Sequence, residues 1–139
     1  MRILAVDPGE KNLGIAVSDP TGTIAAPNTV IPHRSKAEDA ARIAALAEEN
    51  GCGTIVVGIA WSADGGETES SRRARNLAAE IRRRSELPVV LWDEAGSTQT
   101  ARETAIEMGV PRKKRGGHLD AQAAAVVLQS YLEHLRTEE

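Results

Sequence analysis

The chain has 139 residues, a length that fits one domain and not two. Hydrophobic residues make up 41%, which excludes a disordered tail; a formal net charge of −3 is not the global signature of a nucleic-acid binder, so such a function would need a local basic patch. With no Phe, and only Trp61, Trp92 and Tyr131 as aromatics, the core has to be aliphatic.

Residues 3–6 form an apolar run closed by Asp7-Pro8-Gly9, a turn signal. Residues 13–18 alternate bulky Leu13, Ile15 and Val17 with small Gly14, Ala16 and Ser18, the period of a strand. The short loop between the two predicts an antiparallel hairpin. After the turn Asp19-Pro20-Thr21-Gly22, residues 23–31 read as a third strand, which Pro27 assigns to a sheet edge. Ser35 is an N-cap with Glu38 completing a capping box, and the helix it opens ends at Asn50-Gly51.

Residues 54–59 form a continuous β-branched run, the pattern of a strand buried on both faces. A loop over 62–66 leads to a second helix, 67–84, with Ala74, Leu77, Ala78 and Ile81 at helical spacing. Another short buried strand, 88–92, is followed by a helix over 98–108 and a final helix over 119–135. The order β-β-β-α-β-α-β-α-α predicts one α/β domain over 1–139, its mixed sheet antiparallel on one side and parallel on the other. Cys52 is the sole cysteine, so no intrachain disulfide can form. The N-terminus lacks a cleavable signal pattern, and the longest apolar stretch is far short of the ~20 residues of a membrane helix. A cytoplasmic protein with no membrane partner is expected.

Three acidic positions stand where chemistry could gather. Asp7 ends the first strand and Asp93-Glu94 end a different one; adjacent carboxylates repel, and a bound cation relieves that. Asp120 lies in the first turn of the last helix, in line with Ala123, Ala124, Val127 and Tyr131, so it borders the inward stripe. The helix dipole would explain an acid there, yet a carboxylate turned inward is costly without compensation. If the three converge they make an all-oxygen site suited to Mg²⁺ or Mn²⁺, able to assist phosphodiester hydrolysis without a histidine base. Arg112-Lys113-Lys114-Arg115 precedes the Asp120 helix and Lys11 lies in the first hairpin; both are candidate phosphate contacts. His33, His118 and His134 have no metal-ligand spacing and are expected at the surface.

The run Asp7-Pro8-Gly9-Glu10-Lys11-Asn12-Leu13-Gly14-Ile15-Ala16-Val17-Ser18-Asp19 resembles the opening motif of the YqgF/RuvX family. Val57-Gly58-Ile59 with Asp64-Gly65, the strand ending in Asp93-Glu94, and Lys113-Lys114 followed by Asp120, Ala123-Ala124, Leu128-Gln129 and Tyr131-Leu132 resemble its later motifs, in order along nearly the whole chain. The resemblance implies an RNase H-like fold: a mixed sheet with an antiparallel hairpin start and helices on both faces. It implies a metal-dependent nuclease, described both as a processor of the pre-16S rRNA end and as a Holliday-junction resolvase. Structured RNA or branched DNA would be its partner, and an association with ribosomal precursors would follow; the oligomeric state is left open. By motif, Asp7, Asp93, Glu94 and Asp120 take the catalytic positions, with Asp7, Glu94 and Asp120 as metal ligands. The chain departs from the family at Ala95-Gly96-Ser97-Thr98, where Arg-Leu-Thr/Ser is usual, and at Ala60, where Pro is usual.

Two rival classes stand beside this. A nucleic-acid-binding module with little catalysis is motivated by Ala95-Gly96. A sugar-kinase or actin-like ATPase shares an Asp-x-Gly opening, but needs a duplicated core that 139 residues cannot hold.

Overall fold

The computed structural model describes residues 1–60, 66–93 and 116–137, with the backbone alone over 116–119. β1 (Arg2–Pro8) and β2 (Asn12–Ser18) form the expected antiparallel hairpin, and β3 (Ala25–Pro32) pairs antiparallel with β2. On its other side β1 pairs parallel with β4 (Cys52–Ile59), which pairs parallel with β5 (Val89–Asp93). The sheet order is β3-β2-β1-β4-β5, so β3 is an edge strand. Helices α1 (Lys36–Glu49) and α2 (Glu69–Arg84) cover one face and α3 (Gly116–Thr137) the other. The helix expected over 98–108 lies outside the described residues.

Strand alternation explains this layering. Leu4, Val6, Leu13, Ile15, Val17, Ile55 and Val57 pack on the α1–α2 side. Their neighbours in the β1–β2 ladder on the α3 side include three small residues: Ala5 pairs with Ala16, and Gly14 with Asp7. Small side chains at the sheet centre let α3 approach closely, seating Ala124, Leu128 and Leu132 on Ala5, Ala16 and Val56. Cys52 is buried at the far end of β4, and burial pushes its thiol up, away from the reactive thiolate.

Several boundaries moved for local reasons. β3 begins at Ala25 rather than residue 23 because the Asp19 carboxylate takes the N–H groups of Thr23 (2.7 Å) and Ile24 (2.8 Å). The register slips beside Pro27: Ile15 pairs with Thr29 and Ala16 with Pro27, leaving Asn28 as the extra residue of a bulge. At α1, Ser35 accepts the Glu38 N–H as expected, but buried Asp39, not Glu38, reaches back, accepting from Arg34 N and from His33 Nδ1. α2 starts at Glu69, two residues late, because Thr68 is its cap: Thr68 Oγ1 accepts from Ser71 N (2.9 Å) and Ser71 Oγ accepts from Thr68 N (2.8 Å). β5 is half-buried, not the fully buried strand expected, since no other described strand lies beyond it.

Candidate active site

β1 and β4 are parallel, so Asp7 at the end of β1 and Ile59 at the end of β4 share one edge of the sheet. The β1–β2 turn also lies there, closed by Gly9 N donating to Asn12 O (2.9 Å), and it carries exposed Lys11. Asp7 follows Ile3 and Ala5 on the α3-side face, half-buried and opposite Gly14 in the ladder.

Gly14 brings the second acid in. A Cβ built on Gly14 would stand 1.8 Å from the Asp120 carbonyl oxygen and 2.9 Å from Ala121 N, so only glycine allows α3 to cross here. The crossing puts Asp120 beside Asp7. Burial, and then the charge of Asp7, raise the Asp120 carboxyl above its ordinary value. The expectation that Asp120 occupies the first turn is corrected: α3 begins at Gly116, one turn earlier, and its first turn holds no acid. The dipole attraction falls off within that turn and so does not account for Asp120. Of the inward stripe expected beside it, Ala124 and Val127 are buried and Tyr131 packs half-buried against the core, while Ala123 is only half-buried and Ala121, Leu128 and Leu132 complete the buried face.

β5 fixes the first member of the acidic pair. Val90 and Trp92 belong to the α3-side cluster, Val89 and Leu91 to the other. Trp92 is pinned there by its Nε1 donating to Ser130 Oγ (3.2 Å) and by an edge-on contact with the Tyr131 ring at 5.4 Å. By alternation Asp93, exposed and paired with Ile59, belongs to the face away from Asp7. Glu94, the Asp64-Gly65 loop, Ala95 to Thr98 and the basic segment Arg112 to Arg115 lie outside the described residues. Among the described residues no cluster of three metal-capable side chains occurs. The two acids that do meet, Asp7 and Asp120, are hard oxygen donors whose mutual repulsion a Mg²⁺- or Mn²⁺-type cation would relieve, so the donor chemistry present fits such an ion.

Sequence reading passed over one feature at this edge. His33 donates its backbone N–H to Lys11 O (2.9 Å), and its ring is held by buried Asp39. It is surface-exposed, as expected, yet fixed in place, and no motif spacing announced the partnership. The Ser18-Asp19 end of the opening motif proves structural: Ser18 Oγ accepts from Ile3 N (2.9 Å), and Asp19 closes the β2–β3 turn.

A five-stranded mixed sheet led by an antiparallel meander, with helices on both faces, is an RNase H-like fold. Thermus thermophilus RuvC, solved with a Holliday junction substrate, superposes with a TM-score of 0.61 at 15% identity, covering 98% of this chain and 96% of its own. The fowlpox virus Holliday junction resolvase gives 0.55 at 18% identity, covering 97% and 99%. At such identities the likeness concerns the fold. The chain belongs to the RuvX family, a nuclease family whose model, described as Holliday junction resolvase, matches residues 1–134. A relative from Geobacillus kaustophilus is 41% identical over 138 residues, covering 98% of this chain and 100% of its own. One from Anaeromyxobacter sp. (strain Fw109-5) is 41% identical over 133 residues, covering 96% and 97%. Both carry the name "Putative pre-16S rRNA nuclease". No described helix is long and apolar enough to cross a membrane.

Proposed function

We propose that the chain is a divalent-metal-dependent endonuclease acting on structured nucleic acid, its substrate the 5′ end of pre-16S rRNA. One observation carries the metal requirement: Asp120 is held against Asp7 on one face, its carboxyl raised by burial and by that neighbour. A fold that keeps two carboxylates in such proximity is stabilised by a cation between them. The names of the two relatives support the rRNA substrate.

Hydrolysis forms one P–O bond from water and breaks one ester P–O bond; the water gives up a proton as it attacks, and the leaving oxygen takes on negative charge and then a proton. A divalent ion, when bound, supplies the charge that stabilises the attacking and leaving oxygens and acidifies the attacking water. Asp7 and Asp120 would hold it, with Glu94 as the third carboxylate; Asp93 braces the strand end. Lys11, exposed at the same edge, and the segment Arg112-Lys113-Lys114-Arg115 would grip phosphates without reading bases.

The test compares cleavage of precursor rRNA with that of a four-way DNA junction by purified protein, with Mg²⁺ or Mn²⁺ and with chelator. Selective, chelator-sensitive cutting of the rRNA end supports the reading. Preferred cutting of the junction favours the second reading, a Holliday-junction resolvase, which the description of the family model motivates. Binding without cleavage of either would leave a nucleic-acid-binding module. Asp7→Asn should lower cleavage at least about a hundredfold, about 2.7 kcal/mol of transition-state stabilisation, with the fold intact; wild-type rates from that variant would sink the site.

A further inference from the structure

The outer face of α2 carries a charge that the candidate active site does not use. Six arginines, Arg72, Arg73, Arg75, Arg82, Arg83 and Arg84, stand against two acids, Glu69 and Glu80, in a chain whose net charge is −3. The inward stripe of Ser71, Ala74, Leu77, Ala78 and Ile81 is buried, which sorts the arginines outward. Helical spacing places four of them, Arg72, Arg75, Arg82 and Arg83, on two adjoining rows, one pair toward each end. Arg72, Asn76, Ala79 and Arg83 follow one another at i, i+4, i+7 and i+11, with Arg75 and Arg82 beside them, and all six positions are exposed. The rows run about 16 Å along the helix, long enough to meet several phosphates of a nucleic-acid backbone.

Local partners account for part of this set. Arg82 Nη2 donates to Val89 O at 2.8 Å and steadies the edge strand β5; Arg75 pairs with Glu67; Arg83 and Arg84 pair with Glu80 at 3.3 and 3.8 Å. Exposed pairs of this kind contribute little stability, and they leave the face strongly positive. Arg72 meets no acid among the described residues. The cations of the helix are all arginine, with no lysine. The planar guanidinium fork of each matches two phosphate oxygens at once.

Topology connects this face to the catalytic edge. α2 leaves from the end of β4, the edge that carries Asp7, and returns along the sheet to the start of β5. Arg72 and Arg75 therefore stand near the catalytic edge and Arg82 and Arg83 near the opposite one. Asp7 and Asp120 work on the α3 side, so a substrate that passes over this edge meets α2 next.

We propose that the arginine face of α2 is a second phosphate track, which holds the backbone of the helical arm flanking the scissile bond. This rests on the nuclease reading above and extends its substrate class to nucleic acid with a long structured arm.

The test uses Arg72→Gln/Arg83→Gln, two exposed positions outside the candidate catalytic set, with unchanged melting temperature as the fold control. Affinity is measured against salt for a four-way DNA junction and for precursor rRNA, each with long and with truncated arms. The variant should bind long-armed substrate about tenfold more weakly, and its log-affinity against log-salt slope should be shallower by about one to two units. Truncated arms should bind wild type and variant alike, and single-turnover cleavage at saturating protein should stay near wild type. Arg72→Lys/Arg83→Lys should restore the slope, since the charge returns. A wild-type slope in the glutamine variant overturns the track and leaves the nuclease reading standing. So does a variant that keeps nucleic-acid affinity but loses binding to polyglutamate, which would assign the face to an acidic protein. Wild-type protein that neither binds nor cuts any of these substrates overturns the nuclease reading and the track together.

Discussion

Gly14 and Asp120 are in backbone contact across the sheet–helix interface: a Cβ on Gly14 would fall 1.8 Å from the Asp120 carbonyl oxygen. Gly14 is also the ladder partner of Asp7. One residue without a side chain thus sets both the closeness of α3 and the meeting of two acids. Gly14→Ala should destabilise by about 1–3 kcal/mol, the usual cost of overpacking. The sign is diagnostic, because a glycine replaced by alanine where there is room stabilises by reducing the freedom of the unfolded chain. Cleavage should fall further than stability, as α3 shifts and carries Asp120 from Asp7. A thermal melt read beside a single-turnover rate checks both, and an alanine variant as stable and active as wild type would refute the contact.

Asp120→Asn should separate stability from activity. The carboxylate is disfavoured by burial and by Asp7, so an amide of the same size removes a repulsion. In metal-free buffer near neutral pH the variant should melt higher than wild type while cutting at least about a hundredfold more slowly, about 2.7 kcal/mol of transition-state stabilisation. Added Mg²⁺ should raise the melting temperature of wild type more than that of the variant. A lower melting temperature without metal would show that Asp120 is a structural acid.

Within the acidic pair, Glu94→Gln should be the more damaging change. Asp93 belongs to the sheet face away from Asp7, with Trp92 fixed on the α3 side before it. Measured as cleavage and Mn²⁺ affinity, Glu94→Gln should cost at least about tenfold more than Asp93→Asn, or about 1.4 kcal/mol. The reverse order would exchange their roles.

Acid should loosen the β2–β3 turn before the core. The N–H of Ile24, then the Thr21 hydroxyl and the Thr23 N–H, hold the Asp19 carboxyl well below its ordinary 3.8. A depressed folded value means the unfolded chain takes up the proton first, so the contribution is complete above that ordinary value and drains away as pH falls beneath it. Asp19→Asn should therefore be less stable than wild type at pH 7, and the difference should shrink progressively below about pH 4. Paired thermal melts across that range check it; a gap that does not narrow in acid would contradict it.

Much of this molecule is written in local pattern. The period-two alternation of residues 13–18 determined which face of β2 would be bulky and which small, because successive strand residues face opposite ways. Pro27 marked an edge because it cannot donate to a ladder, and Asn50-Gly51 marked a helix end, where Gly51 takes a φ of +67°. The family motifs named Asp7 and Asp120 as partners from positions 113 residues apart, but their spatial meeting depended on packing. Only tertiary structure decided it, through strand register and the glycine beneath α3; neither leaves a local trace, because each depends on what another segment brings to the same place. The same holds for the start of α3 at Gly116, which moves Asp120 out of the dipole's reach, and for the side of the sheet on which Asp93 falls. Local chemistry specifies which backbone each segment prefers; which carboxylates must share a site is set by pairing and packing across the whole chain.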